Sequence, residues 1–234
     1  MKYDLVNYLQ KRFEEQNSKS GMSELDYGPV ITLSREYGCP AKRIAEKLSE
    51  KLTQVSKSKG DKEQWKWVGK EILAEAAKEL SVDPSRIKFL FNYEQRGILD
   101  DIFASYSSKY YKSNRKIKNT VRDVIRSIGK EGHCIIVGRG GVAITHDIIK
   151  SMHVNIEAPL EWRALRVSER YNISIPKAKD YALEIDKKRR SFREQFEGKN
   201  TDYTTFDLTL NCMTLTMNEI VDIIVHTAEL RDLI

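Results

Sequence analysis

The chain predicts an α/β fold in which a parallel sheet carries helices on both faces. Three observations predict it. Short β-branched apolar runs, among them Val30-Ile31-Thr32-Leu33, Cys134-Ile135-Ile136-Val137 and Met152-His153-Val154-Asn155-Ile156, read as strands buried on both sides. Stretches with apolar residues at helical spacing separate them, so the connections are crossovers and the strands run parallel. The first two runs stop abruptly at polar turns containing Gly38 and Gly138, where the carboxyl ends of parallel strands place ligands.

The elements follow in order. Residues 3–16 read as a helix, with Leu5, Tyr8, Leu9 and Phe13 on one face, and Asn17-Ser18-Lys19-Ser20-Gly21 breaks it. A strand is expected over 29–34 and a helix over 41–53, with Ile44, Ala45, Leu48 and Leu52 facing inward. Ser56 to Lys62 reads as a solvated loop and Trp65 to Val68 as a short strand. Residues 69–80 are helical, Asp83-Pro84-Ser85 starts another helix, and an aromatic-rich helical region runs to about 108. Residues 115–130 form a helix with Ile117, Val121, Val124, Ile125 and Ile128 on one face. After the strands at 134–137 and 152–156 come helices from Leu160 to about Tyr171 and from Pro176 to about Phe196. Phe206 to Leu210 is the last strand and 216–231 the last helix.

Composition narrows the function. The chain has 234 residues, 40% hydrophobic and 32% charged, as expected of a soluble globular protein. No run of about 18 apolar residues occurs, so no membrane span is expected. The start, Met1-Lys2-Tyr3-Asp4, does not read as a signal peptide. Cys39, Cys134 and Cys212 are scattered and odd in number, which reads as reduced thiols in a cytoplasmic protein. No cysteine or histidine spacing suggests a metal site. The net charge of +6 suits a polyanionic ligand without naming one.

Five constellations bear on chemistry. The turn from Ser34 to Arg43 joins a strand to a helix start, the geometry that points backbone N–H groups at a phosphate. Lys42 or Arg35 would supply its cation; the competing reading is a turn whose polar residues only cap the helix. Pro40 lacks an N–H and removes one donor. Gly138-Arg139-Gly140-Gly141 lets a ligand approach the backbone, and the Arg139 fork matches a phosphate, unless the loop merely carries a surface arginine. Asp186 to Arg193 is a cationic cluster suited to neutralising phosphoryl charge, or a solvated basic face. Arg163, Arg166 and Arg170 follow Pro159, with salt bridges to Glu161 and Glu169 as the structural reading. Lys109 to Lys118, with Arg122 and Arg126, interleaves cations and aromatics as single-stranded nucleic-acid binders do. The apolar stripe 117-121-124-128 favours instead the solvated side of an amphipathic helix, so nucleic acid is not the expected partner.

Together these segments resemble the cytidylate-kinase-like family of P-loop nucleoside monophosphate kinases. The resemblance rests on Ser34-Arg35-Glu36-Tyr37-Gly38-Cys39-Pro40-Ala41-Lys42-Arg43-Ile44-Ala45, Ile136 to Arg139, Ala158 to Arg163 with Glu169-Arg170-Tyr171, Ile185 to Arg189, and Phe206 to Asn211, in family order. It implies a three-layer P-loop kinase fold: a five-stranded parallel sheet ordered 2-3-1-4-5 with helices on both faces and a helical lid. It implies a 28–234 domain behind an N-terminal helical extension (1–27), with a monophosphate-binding insertion near 54–115 and a lid near 172–203. The implied activity is Mg2+- and ATP-dependent phosphorylation of CMP or dCMP. Carried over by position, Ser34, Arg35, Gly38, Cys39, Ala41, Lys42 and Arg43 would bind the nucleotide. Arg139, Asp186 and Arg163 would bind the acceptor, and Arg189, Arg193 and Lys42 would act in the transfer. The chain departs from the family pattern at Pro40 and Ala41, where glycines are usual, and at Gly140, where cytidylate kinases carry Asp. The alternative is a family member that keeps the fold and binds nucleotide or a partner without turnover. The altered turn favours that alternative, and the joint retention of Arg139, Asp186 and Arg189 favours transfer.

Overall fold

The computed structural model describes residues 28–69, 108–197 and 205–234. The helices expected at 3–16, 69–80 and from 83 to about 108 therefore lie outside the described residues, as do the N-terminal extension and most of the insertion. In chain order the elements are β1 (Val30–Arg35), α1 (Ala41–Ser58), β2 (Lys66–Val68), α2 (Ser108–Glu131), β3 (Cys134–Val137), α3 (Gly141–Thr145), β4 (Ser151–Glu157), α4 (Leu160–Tyr171), α5 (Ile175–Glu194), β5 (Leu208–Asn211) and α6 (Met217–Leu230).

The five strands are all parallel and run in the order β2-β3-β1-β4-β5, as the resemblance implies. β1 sits at the centre, with Leu33 beside Val137 of β3 and Val154 of β4. Side-chain alternation divides the strands between two cores. Ile31 and Leu33 face one side, where α1 and α6 pack with Ile44, Leu48, Leu52, Ile220 and Ile224. Val30 faces the other, beneath Val121 and Ile125 of α2 and Ile144 of α3. Each fully buried Leu or Ile contributes about 1.5–3 kcal/mol, so these two layers dominate the fold's stability. A third cluster, Tyr37, Ala164, Val167, Ala178, Ala182 and Ile185, joins α4 and α5 to the turn after β1.

Three expectations are corrected. α1 continues to Ser58 rather than yielding to a loop at Ser56. Ser56 is buried and accepts the Trp65 indole N–H at 3.2 Å, so a residue that looks solvated in sequence faces the core. Gly141 begins α3, a short helix expected as loop, because its flanking glycines read as breakers. The last strand starts at Leu208, not Phe206; the Asp207 carboxylate accepts the His153 N–H at 2.6 Å in place of a ladder bond. α6 opens on a capping box, Thr216 and Glu219 each bonding the other's backbone N–H.

His153 is buried in β4 with its ring between the Thr32 hydroxyl (2.9 Å) and the Ser151 hydroxyl (3.3 Å). Burial holds its pKa down at about 4, against the pull of nearby Asp207. Between pH 6.5 and about 4 the unfolded chain binds a proton on His153 that the folded chain does not, so stability falls as pH drops through that window. The full loss is on the order of 3 kcal/mol. Urea unfolding of the wild type and His153→Gln at pH 7 and pH 5 checks it. The wild type should lose more stability than the variant; equal losses would place the pH dependence elsewhere.

Candidate active site

The turn after β1 is built so that α1 begins without protection. Pro40 is its N-cap, no side chain bonds the cap, and the first turn holds no acidic residue. The first helical bond runs from the Ile44 N–H to the Pro40 carbonyl at 3.1 Å, leaving the N–H groups of Ala41, Lys42 and Arg43 outside the ladder. Those donors and the positive end of an 18-residue helix favour an anion there. Gly38 makes the bend: its φ is +96°, and a Cβ would lie 3.0 Å from the Arg163 side chain and carbonyl.

The second turn lies at the end of the neighbouring strand β3. Its Gly138 N–H donates to the Leu33 carbonyl at 3.0 Å, tying it to β1. The Arg35 guanidinium rests against Gly138, where an added Cβ would meet Nη1 at 1.9 Å. Arg139 then takes a φ of +57°, a left-handed conformation uncommon for a residue with a side chain and a feature that collects at functional sites. Phe192 and Phe196 of the α5 end stack edge to face at 5.1 Å and abut Gly140. The two turns singled out in the sequence thus lie side by side at the carboxyl edge of the sheet, with Phe192 of α5 against the second of them.

One buried cation joins turn, sheet and α5. The Arg163 side chain is 5% exposed. It donates from Nε to the Ala158 carbonyl (2.8 Å) and from Nη1 to the Tyr37 carbonyl (3.0 Å) and Asp186 Oδ2 (2.7 Å), and Nε lies 3.2 Å from Glu36 Oε2. Asp186 Oδ1 accepts the Tyr37 N–H at 2.7 Å, so α5 grips the turn through both partners of one peptide group's neighbourhood. The structure thus sets Arg163 between the turn and α5, with Nε and Nη1 bonded within the protein. It also replaces the expected partners, because Glu161 pairs with Lys179 while Arg163 reaches across the fold. Asp186 likewise spends both oxygens on Tyr37 and Arg163.

The other expected residues differ in their partners. Arg189 donates to the Arg35 carbonyl at 3.3 Å and lies 5.1 Å from the Tyr37 ring centroid. Arg193 pairs with Glu197 at 2.7 Å and lies over Phe206. Lys42 is 69% exposed, 3.6 Å from Glu46 and 5.5 Å from the Trp67 ring, and Arg43 is exposed. Ser34, the last residue but one of β1, lies opposite Asn155. Arg166 donates to the Gly38 carbonyl at 3.2 Å and covers Trp162. Arg126 of α2 forms a fork with Asp147 (3.0 and 2.9 Å), a structural role for a cation weighed as a nucleic-acid contact. Glu36, Tyr37 and Cys212 are site residues that sequence reasoning passed over. For Cys212 the available signal was its place directly after a strand, where an α/β sheet keeps its ligands.

Among the described residues no helix is long and apolar enough to cross a membrane. Also among them, no group of three or more His, Cys, Asp or Glu side chains is arranged to hold a metal ion.

The chain resembles several known proteins. A solved structure of an uncharacterized protein from Eubacterium ventriosum aligns with 86% of this chain and 98% of its own, at 20% identity and a TM-score of 0.59, which shows a shared fold. A shikimate kinase from Bacteroides thetaiotaomicron aligns over 86% and 98% at 10% identity and a TM-score of 0.47. A uronate isomerase from Corynebacterium glutamicum is 25% identical over 135 residues, and this chain spans about a quarter of that relative's length. The cytidylate kinase-like family model matches residues 30–214, from β1 through the segment after β5 that carries Cys212. With the parallel sheet order and the two adjacent turns, that match assigns the protein: the chain belongs to the cytidylate kinase-like family.

Proposed function

We propose that the chain is a nucleoside monophosphate kinase that transfers the γ-phosphoryl group of ATP to CMP, dCMP or a related monophosphate in the cytoplasm. The observation that supports the reading is the positive φ of Arg139 in the turn after β3, whose Gly138 N–H is bonded to β1 just before the turn that opens α1. In the proposed reaction an acceptor phosphate oxygen attacks the γ-phosphorus, the β–γ P–O bond breaks, and ADP leaves. This chemistry asks the protein for positioning and charge neutralisation rather than a covalent intermediate.

The residues take roles accordingly. The N–H groups at the start of α1, with Ser34, Arg35, Gly38, Cys39, Ala41, Lys42 and Arg43, form the ATP phosphate site. Arg139 forks onto the acceptor phosphate, and Arg189 and Arg193 on α5 oppose charge in the transition state, with Lys42 on the rim. Arg163 and Asp186 hold the turn and α5 in register rather than touching the acceptor. Residues 172–203 act as the lid, 54–115 as the monophosphate-binding segment and 1–27 as an extension. The first turn of α1, Ala41, Lys42 and Arg43, offers Mg2+ no hydroxyl or carboxylate. Mg2+ would arrive on the ATP phosphates, keeping several of its waters.

Incubation with Mg-ATP and a panel of CMP, dCMP, UMP, AMP and GMP, reading nucleoside diphosphate, tests this. Turnover of one acceptor, lost in Arg139→Ala, supports the proposal and names the base. No turnover with any acceptor alongside clear ATP binding would replace it with the second reading, a nucleotide binder without transfer. That reading has an observation of its own. Pro40 offers no N–H, the Cys39 N–H bonds the Glu36 carbonyl at 3.3 Å and the Tyr37 N–H bonds Asp186, so fewer turn donors face a phosphate.

A further inference from the structure

Two of the three cysteines meet at the carboxyl edge of the sheet. Cys39 lies in the turn after β1, half-buried, and Cys212 is buried as the first residue past β5. The last residues of β4 tie both turns down: the Glu36 N–H donates to the Ile156 carbonyl (3.0 Å) and the Cys212 N–H to the Glu157 carbonyl (2.9 Å). Both side chains pack into the same apolar cluster between the sheet, α1 and α6, where the two thiols are close enough to shift each other's ionisation. Cys134 is remote from them. It sits on β3 in the cluster on the opposite sheet face, with its thiol directed at the Ile128 carbonyl at 3.4 Å.

The contact between Cys39 and Cys212 is asymmetric. Their proximity raises the Cys39 pKa, as does burial, with Arg163 opposing; it lowers that of Cys212, which Arg166 also lowers and burial opposes. Cys212, the thiol whose pKa is drawn down, is taken as the attacking sulfur and Cys39 as the one that resolves it. Cys134 donates only to the Ile128 carbonyl among the described residues, and burial pushes its thiol up to about 12.

We propose that Cys39 and Cys212 form a reversible disulfide when the protein meets a peroxide, fastening the phosphate turn to the end of β5. In the first step the Cys212 sulfur attacks one peroxide oxygen and the O–O bond breaks. Hydroxide leaves and takes up a proton as water, and Cys212 becomes a sulfenic acid. The Cys39 sulfur then attacks the Cys212 sulfur, and its proton goes to the departing hydroxide, which leaves as a second water. The two thiols lose two electrons and the peroxide gains them. A thiol such as glutathione reverses the link by exchange. Resting on the kinase reading is one consequence: the link immobilises the turn that would close around ATP, so oxidation lowers nucleotide affinity.

The test treats the full chain with hydrogen peroxide, blocks remaining thiols with iodoacetamide and maps tryptic peptides without reduction. The expected product joins peptide 36–42 to peptide 200–231, takes the three thiols down to one, and disappears with dithiothreitol. Separate alkylation of Cys39 and Cys212, or a link through Cys134, overturns the proposal. Cys134→Ser should leave the linked peptides unchanged, and Cys39→Ser should abolish them. ATP affinity measured on the same samples is expected to fall at least tenfold on oxidation and to recover on reduction; an intact link with unchanged affinity overturns the coupling to the turn. Failure of the reduced protein to bind ATP or turn it over would remove the kinase reading, while the peptide map alone still decides the disulfide.

Discussion

Arg163→Ala is expected to lose about 3–5 kcal/mol of folding stability, the cost of leaving buried charges without their partner. The reason is the number of groups one guanidinium serves. Removing it strands Asp186 at 18% side-chain exposure, leaves Glu36 unbalanced, and takes the donor from the Tyr37 and Ala158 carbonyls. For a chain of this size the midpoint of thermal unfolding should fall by on the order of 10 °C. Arg163→Lys keeps the charge and loses the planar fork, so it should lie between wild type and Ala. Asp186→Asn removes the other half of the pair and should cost less, because an amide oxygen still accepts the Tyr37 N–H. Thermal or urea unfolding of the three variants checks the order; an Arg163→Ala midpoint within a degree or two of wild type would show that this cation does not hold turn to helix.

Arg189→Ala is expected to lower the rate of phosphoryl transfer by about 10³–10⁵, the range for removing one arginine from a phosphoryl-transfer site. Its stability cost should be smaller, since the Arg189 side chain is 26% exposed where that of Arg163 is 5%. The two variants therefore separate. Arg163→Ala damages folding and drags activity with it, whereas Arg189→Ala spares folding and strikes kcat. Single-turnover transfer with saturating ATP and the acceptor found in the panel provides the measurement. A kcat within tenfold of wild type in a folded Arg189→Ala protein would remove this residue from the transfer step.

Much of the fold is legible along the chain because its signals are local. Val30 to Leu33 and Cys134 to Val137 are apolar without alternation, which suits strands covered on both faces, and both are buried. Pro40 and the Ile44, Ala45, Leu48, Leu52 stripe mark where α1 starts and which side it buries. Its end is not legible, because the fate of Ser56 depends on Trp65 arriving opposite it. α3 is hidden for a similar reason. Glycine weakens a helix by itself, but at Gly141 a Cβ would stand 2.9 Å from Ile136, so tight packing requires the residue that local propensity disfavours.

The site divides along the same line. Residue types and their order determine by themselves that this is a parallel α/β protein of the cytidylate kinase-like family, with an altered turn after its first strand and arginines spaced along a later helix. Those properties reside in short stretches whose conformation and chemistry neighbours in sequence decide. Only the tertiary structure decides which partners each residue meets. Arg163 looks in sequence like a surface cation beside Glu161 and Glu169, and becomes a buried pin because folding delivers Glu36 and Asp186 to it. Cys39 and Cys212 look scattered, and become a pair because β1 and β5 flank the same strand. A charge or a thiol takes its role from what lies within a few ångströms of it, and for these residues that neighbour comes from a distant part of the chain.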